Sequence, residues 1–199
     1  MTEIRAAMVK QLREKTGVGI MDCKEALSEC DSDTDKAIDF LRKKGLATAQ
    51  KRVGRGTSEG LIQAYIHTGG KIGVLVEINC ETDFVAKNDD FKEFAKNMAM
   101  HIAATNPVGI SPEEVPQTII EREKDIYRAQ AQEIGKPEKM IDKIAEGKLN
   151  KFYKDSCLLL QPYVRDPSVS IQDVLNDLIV KIGENITIKR FSRIQIGEL

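Results

Sequence analysis

Apolar positions recur at helical spacing through the first forty residues. Ile4, Ala7, Met8 and Leu12 fall on one face of a helix over 2–15. Thr16-Gly17-Val18-Gly19 interrupts it, because two glycines in four residues favour a turn with positive φ. Cys23, Ala26, Leu27 and Cys30 follow the i, i+3, i+4, i+7 pattern of a second helix. Ser32 and Asp35 have capping-box spacing before a third, which carries Ala37, Ile38 and Leu41 and which Gly45 is placed to end. The period then changes. Residues 61–67 and 71–80 read as strands, the second with Ile72, Val74, Val76 and Ile78 on one face, and Thr68-Gly69-Gly70 supplies a hairpin turn. Phe91, Phe94, Ala95, Met98 and Ile102 mark a helix over 89–105, closed by Asn106-Pro107.

Residues 111–155 change character. Ser111-Pro112-Glu113-Glu114 opens a charge-rich helical stretch with Ile120, Tyr127 and Ile134 seven apart. Gly135-Lys136-Pro137 breaks it, and a second helix carries Met140, Ile141 and Ile144 toward Phe152. This predicts a helical hairpin with a narrow apolar seam. The apolar run 157–164 ends in a turn or sheet edge. Ser170 stands where it can cap a last helix burying Val174, Leu175, Leu178, Ile179 and Ile182. Residues 185–196 read as a final strand, with Ile186, Ile188, Ile194 and Ile196 on compatible faces and an irregularity near Phe191. The expected fold is therefore α+β. A three-helix module occupies 1–45 and a basic linker 46–58. A core over 59–199 carries a three-stranded antiparallel sheet with helices on one face and a protruding helical hairpin at about 112–155.

Composition narrows the function classes. Lys and Arg total 30 against 31 Asp and Glu, a net charge of −1 that gives no overall reason to expect nucleic acid or a membrane as partner. No apolar run approaches the roughly 18–20 residues that span a bilayer. The N-terminus has no signal-peptide apolar region, so a cytoplasmic protein is expected. Arg42, Lys43, Lys44, Lys51, Arg52 and Arg55 form a basic run free of acids. It raises RNA binding as an alternative, but no aromatic is interleaved as a stacking platform, and a solvated linker is the expectation. Cys23, Cys30, Cys80 and Cys157 make no Cys-x-x-Cys pair, and His67 and His101 are far apart, so no metal site is expected. No phosphate-binding glycine loop or nucleophile elbow is present, and no cofactor is expected. Glu81 and Asp83 are close carboxylates without a visible catalytic partner, which leaves a metal or hydrolytic enzyme as a third class.

Two stretches hold candidate chemistry. Asn79-Cys80-Glu81-Thr82-Asp83-Phe84-Val85-Ala86-Lys87-Asn88 lies where a strand gives way to a helix. In one reading Phe84 tucks into the core and Asp83 caps a turn; in the other both are presented to solvent. Gly17–Met21 likewise either turns a corner with Ile20 and Met21 inside, or shows them to a partner, as Met suits adaptable surfaces.

The run from Asn79 to Asn88 closely resembles the signature of the elongation factor Ts family, guanine-nucleotide exchange factors for elongation factor Tu in bacterial translation. The stretch Leu12-Arg13-Glu14-Lys15-Thr16-Gly17-Val18-Gly19-Ile20-Met21-Asp22-Cys23-Lys24-Glu25-Ala26-Leu27 is similar to that family's N-terminal signature. The resemblance implies a non-enzymatic exchange factor that binds Tu in GDP-bound and nucleotide-free states. It implies a ubiquitin-associated-like N-terminal module and a protruding antiparallel coiled coil. It assigns Phe84 as a wedge into Tu that shifts the segment holding Mg²⁺, and Asp83 as a charge that disturbs the metal's shell. Thr82 and Val85 then fix the backbone. Gly17, Val18, Gly19, Ile20 and Met21 contact the nucleotide domain, although the family often has Met at both of the last two positions and Ile20 departs from this. His101 becomes a weak partner contact. Many relatives carry two core subdomains. This chain shows one and no internal repeat, so a symmetric homodimer is expected to supply the missing half.

Overall fold

The computed structural model describes residues 6–198. In chain order the elements are α1 (Ala6–Thr16), α2 (Ile20–Glu29), α3 (Thr34–Arg52), β1 (Glu59–Ile66), β2 (Ile72–Cys80), the single turn α4 (Asp83–Ala86), α5 (Asp89–Thr105), α6 (Gln117–Glu133), α7 (Glu138–Ser156), β3 (Pro162–Tyr163), β4 (Asp166–Ser170), α8 (Ile171–Ile182) and β5 (Ile186–Gln195). The architecture is α+β, with a three-stranded antiparallel sheet in the order β1-β2-β5 and a separate two-stranded ribbon, β3-β4. Two compact units are formed. Among the described residues, one comprises 6–61 with Ile78–Phe94 and Asp173–Lys189; the other comprises Ile62–Glu77, Ala95–Gln172 and 190–198.

In the first unit α1, α2 and α3 bury Val9, Leu12, Cys23, Ala26, Leu27, Ala37 and Leu41 in one cluster. Met8, Val9 and Leu12 form the inner face of α1; Ala7 is exposed, and Ile4 lies outside the described residues. Two consecutive left-handed residues, Asp31 (φ 50°) and Ser32 (φ 64°), turn the chain after α2, and the Ser32 N–H closes the turn on the Leu27 carbonyl at 2.8 Å. The cap of α3 is therefore Asp33 and not Ser32: Asp33 Oδ1 accepts from the N–H groups of Asp35 and Lys36 at 3.1 Å each.

Gly45 does not end α3 as expected. The helix runs on through most of the basic stretch to Arg52, and Gly54 (φ 92°) takes the turn beyond it. Gly45 serves close packing instead, because a Cβ there would stand 3.1 Å from Val180 Cγ2 on α8. Arg52 Nη1 adds a 2.8 Å bond to the Ile179 carbonyl.

Alternation in β2 is as expected, with Val74, Val76, Ile78 and Cys80 buried on one face. In β5 the alternation changes phase. Ile186 and Ile188 are buried, Lys189 and Arg190 are both exposed, and Phe191, Arg193 and Gln195 then turn inward. Ile194 and Ile196 consequently point to solvent and do not share a face with Ile186 and Ile188. Arg193 is held inward by its Nε–H bond to the Ala103 carbonyl of α5.

In the second unit α6 and α7 pair as the expected hairpin. Its seam is Ala131 against Ile141, Ala145 and Leu149, with Arg128 Nε bonding Asp142 Oδ1 at 2.8 Å across it. Ile134 and Met140, expected in the seam, flank the turn and are exposed. Pro112–Glu114 is a 3-10 turn, and the helix proper starts at Gln117. In α8 Leu175, Leu178 and Ile179 are buried and Val174 and Ile182 half-buried.

Candidate functional site

The connection from β2 to α5 is built by a chain of local hydrogen bonds. Cys80, buried at the end of β2, donates its S–H to the Thr82 carbonyl at 3.1 Å. Burial pushes its thiol up to about 11, so it is not a reactive thiolate at neutral pH. Thr82 is extended, with φ −128° and ψ 155°. Its N–H donates to Glu184 Oε2 at 3.0 Å and its hydroxyl to Glu184 Oε1 at 2.7 Å. One residue earlier, Glu81 Oε1 accepts from the Asn185 N–H at 2.6 Å and lies 3.7 Å from Arg55 Nη1. Asn185, itself buried, donates Nδ2–H to the Arg55 carbonyl at 2.9 Å.

From that anchor the chain makes α4. Ala86 N–H returns to the Thr82 carbonyl, Lys87 N–H to Phe84 and Asn88 N–H to Val85. Asn88 Oδ1 then accepts the Asp90 N–H at 2.8 Å and caps α5. Neighbouring side chains in a helical turn point about 100° apart, so one can be buried while the next is not. Val85 is buried, while Phe84 is 80% exposed. Phe84 thus does not tuck into the core. Asp83 faces solvent beside it, its Oδ2 at 2.6 Å from Lys87 Nζ. The Lys87 hydrogen bond holds the Asp83 carboxyl below the usual carboxylate range, so it is charged at neutral pH.

The Gly17 corner also resolves toward exposure. Gly17 (φ 68°) takes the left-handed position after α1, its N–H on the Arg13 carbonyl. Val18 packs against the three-helix core, and its carbonyl accepts from Cys23 Sγ at 3.6 Å. Gly19 precedes α2, whose first two side chains, Ile20 and Met21, are 54% and 75% exposed rather than packed inside.

His101 is a correction. It is fully buried, not a surface contact. It shares the inward face of α5 with the buried Met98 and Ile102, which outweighs its nearness to the helix end. Its Nδ1 accepts from the Val164 N–H at 3.4 Å, so the other nitrogen carries the proton and donates to Gln161 Oε1 at 2.9 Å. Thr105 donates its hydroxyl to the same oxygen at 3.0 Å. Burial pushes the imidazole pKa down and keeps the ring neutral.

Four of the six residues in the basic run are engaged within the protein. Arg42 pairs with Asp173, Lys44 with Asp22 and Glu25, Arg55 with Glu81, and Arg52 bonds the Ile179 carbonyl. Glu81 and Asp83 are each tied to different partners and do not converge on a common point. Among the described residues no group of three or more His, Cys, Asp or Glu is gathered to hold a metal, and no helix is long and apolar enough to cross a membrane. What the arrangement offers is an aromatic ring and a carboxylate side by side, presented from a hydrogen-bonded frame. Glu184 and Asn185 complete that frame and escaped the sequence reading. They lie 102 and 104 residues from the groups they hold, and no local pattern links them.

The family model described as Elongation factor TS matches residues 48–198. Similar curated proteins named Elongation factor Ts include that of Desulfosudis oleivorans, 64% identical over 198 residues with 100% of both chains covered. Those of Syntrophobacter fumaroxidans and Caldanaerobacter subterraneus subsp. tengcongensis are 60% and 58% identical over 195 residues, with 98% of each chain covered.

Proposed function

Because this chain belongs to the elongation factor Ts family, we propose that it is a guanine-nucleotide exchange factor that binds elongation factor Tu and accelerates GDP release during translation elongation. A GTPase holds GDP through backbone N–H groups, a lysine and a bound Mg²⁺ at the phosphates. To speed release, the factor binds the empty state more tightly than the GDP state. By linkage, nucleotide weakens the factor by the same ratio. No covalent chemistry and no cofactor are needed, so the protein is not an enzyme in this reading.

The observation that carries the proposal is the exposure of Phe84 on a hydrogen-bonded turn beside a charged Asp83. Phe84 enters an apolar pocket of Tu and displaces the segment that holds Mg²⁺. Asp83 brings a negative charge toward the same shell. Thr82 and Val85 hold the turn, one by its hydrogen bonds and one by burial. Residues 1–45 act as a second docking module, presenting Ile20 and Met21 from the Gly17-Val18-Gly19 corner to the nucleotide domain. Residues 46–58 connect that module to the core over 59–199. The exposed face of the sheet is covered by a second copy in a symmetric homodimer, and the protein works in the cytoplasm.

The test is release of fluorescent GDP from purified bacterial elongation factor Tu. Substoichiometric amounts of this protein are expected to accelerate it catalytically. An unchanged rate with a matched Tu overturns the proposal.

A further inference from the structure

We infer that residues 181–185, where α8 gives way to β5, are a positioning brace that fixes the direction of Phe84 and ties it to the Gly17–Met21 corner, with Glu184 as the principal positioning residue. This rests on the exchange reading for its purpose, and on the geometry alone for its existence.

A four-residue helix does not hold its own shape in water, because nucleating one turn costs more than its few hydrogen bonds return. Phe84 projects from such a turn and, at 80% exposure, receives little packing of its own. Its direction therefore depends on the burial of Val85 and on what fixes the residue before the turn. Gly183 (φ 93°) closes α8 through its N–H bond to the Ile179 carbonyl and swings the next two residues alongside the end of β2. The Glu184 carboxylate takes both donors of Thr82, the N–H and the hydroxyl. The exchange is returned one step away, where the Glu81 carboxylate takes the Asn185 N–H. Each carboxylate thus grips the other segment's backbone, and charge-assisted bonds of this kind are the strong ones.

The last turn of α8 adds the second arm. Lys181 Nζ bonds Asp90 Oδ1, at the start of α5, at 2.7 Å. Its stem lies along the Gly17 corner: a Cβ built on Gly17 would stand 3.8 Å from both Cδ and Cε of Lys181. One five-residue stretch therefore touches both exposed contact segments. A wedge set in place before encounter avoids the ordering cost of binding, and that saving is realised when the ring is inserted.

The test has two arms. In the free protein, amide exchange at Thr82 is expected to speed up at least about tenfold in Glu184→Ala. It is expected to stay near wild type in Glu184→Gln, whose amide can still accept from the N–H and donate to the hydroxyl. Unchanged protection in Glu184→Ala overturns the brace. In stimulated GDP release, Glu184→Ala is expected to be roughly five- to tenfold slow, with Glu184→Gln within about twofold of wild type. Adding Glu184→Ala to Phe84→Ala is expected to slow release no further, because both act through the same ring. A fully additive loss overturns the inference, since Glu184 would then act on the fold and not through Phe84. If the wild-type protein fails to speed release while Glu184→Ala still frees the Thr82 amide, the brace stands and the exchange reading falls.

Discussion

Phe84 and His101 are both rings near a helix end, and the structure uses them in opposite ways. Phe84 contributes little to the core, so truncating it should leave stability within about 0.5 kcal/mol of wild type, as for other surface substitutions. As an interface anchor its loss should cost on the order of 2–4 kcal/mol. Phe84→Ala is therefore expected to slow stimulated GDP release at least about tenfold with an unchanged melting temperature. A wild-type rate in this variant removes the wedge from the mechanism. His101 is the reverse case, a residue of the interior. Its folded pKa is lowered by burial, so below the ordinary value of about 6.5 the unfolded chain binds a proton that the folded chain refuses. The stability from neutral His101 is thus fully present above that pH and is lost as pH falls toward the folded pKa. The melting temperature should drop from about pH 7.5 to about pH 5.5, and His101→Gln should flatten part of that slope. Identical slopes in the two proteins would assign the effect to other groups. The motif around Phe84 was legible as residue types in order, but not which side chain faced out. That was decided by Val85 taking the inward position and by Glu184, far away in sequence, fixing Thr82.

At the scale of elements, period and turn chemistry carried most of the reading. The hairpin of β1 and β2, the helix after the signature and the α6–α7 pair all stand where alternation, helical spacing and glycine turns put them. The failures share a cause, which is that one residue type serves two purposes. Glycine ends helices, yet Gly45 lies inside α3 because Val180 needs the space a side chain would fill. Ser caps helices, yet Ser32 is used in the left-handed turn and Asp33 caps. Isoleucine at alternate positions marks a buried face, but the phase change at Lys189 and Arg190 sends Ile194 outward, and pattern reading sees residue types without seeing a slip in the strand. Gly60 in β1 makes the same point testably. It holds φ 151°, and a Cβ there would overlap the Ile78 carbonyl oxygen and stand 2.8 Å from Asn79 Cα. Both obstacles are backbone, which cannot yield as a side-chain tip can. Gly60→Ala should lower unfolding stability by on the order of 2–4 kcal/mol in urea titration. A loss under about 0.5 kcal/mol would mean that β1 and β2 separate there at little cost.

For the molecule as a whole, the open face of the sheet is the feature that a lone chain leaves unexplained. Ile66 lies on this face, because a Cβ at Gly73 would meet its Cδ1 at 3.1 Å, and Leu75 follows Gly73 at the next outward position of β2. Ile62 joins Ile66 by alternation. Ile194 and Ile196 join them because Arg193, the residue before Ile194, is drawn to the helix side by Ala103, and Gln195 between the two isoleucines bonds Arg193. Leu75 is 52% exposed, Ile62 65%, Ile66 67%, Ile194 71% and Ile196 72%. Single exposed apolar side chains are ordinary, but five on one face of one small sheet are not. Glu77 and Arg190, paired at 2.6 Å, supply a polar border of the kind that surrounds an interface core. An apolar patch with such a border suits a two-fold axis, on which each protomer would cover the other's sheet. The phase slip in β5 then acquires a purpose, since without it Ile194 and Ile196 would turn inward and two of the five side chains would leave the patch. Sedimentation at about ten micromolar should give twice the 22.2 kDa chain mass. Ile194→Asp with Leu75→Asp should give a folded monomer, because paired carboxylates on a symmetric apolar interface are buried without partners. A wild-type monomer at that concentration would leave the exposed sheet face to some other partner and remove the dimer from the account.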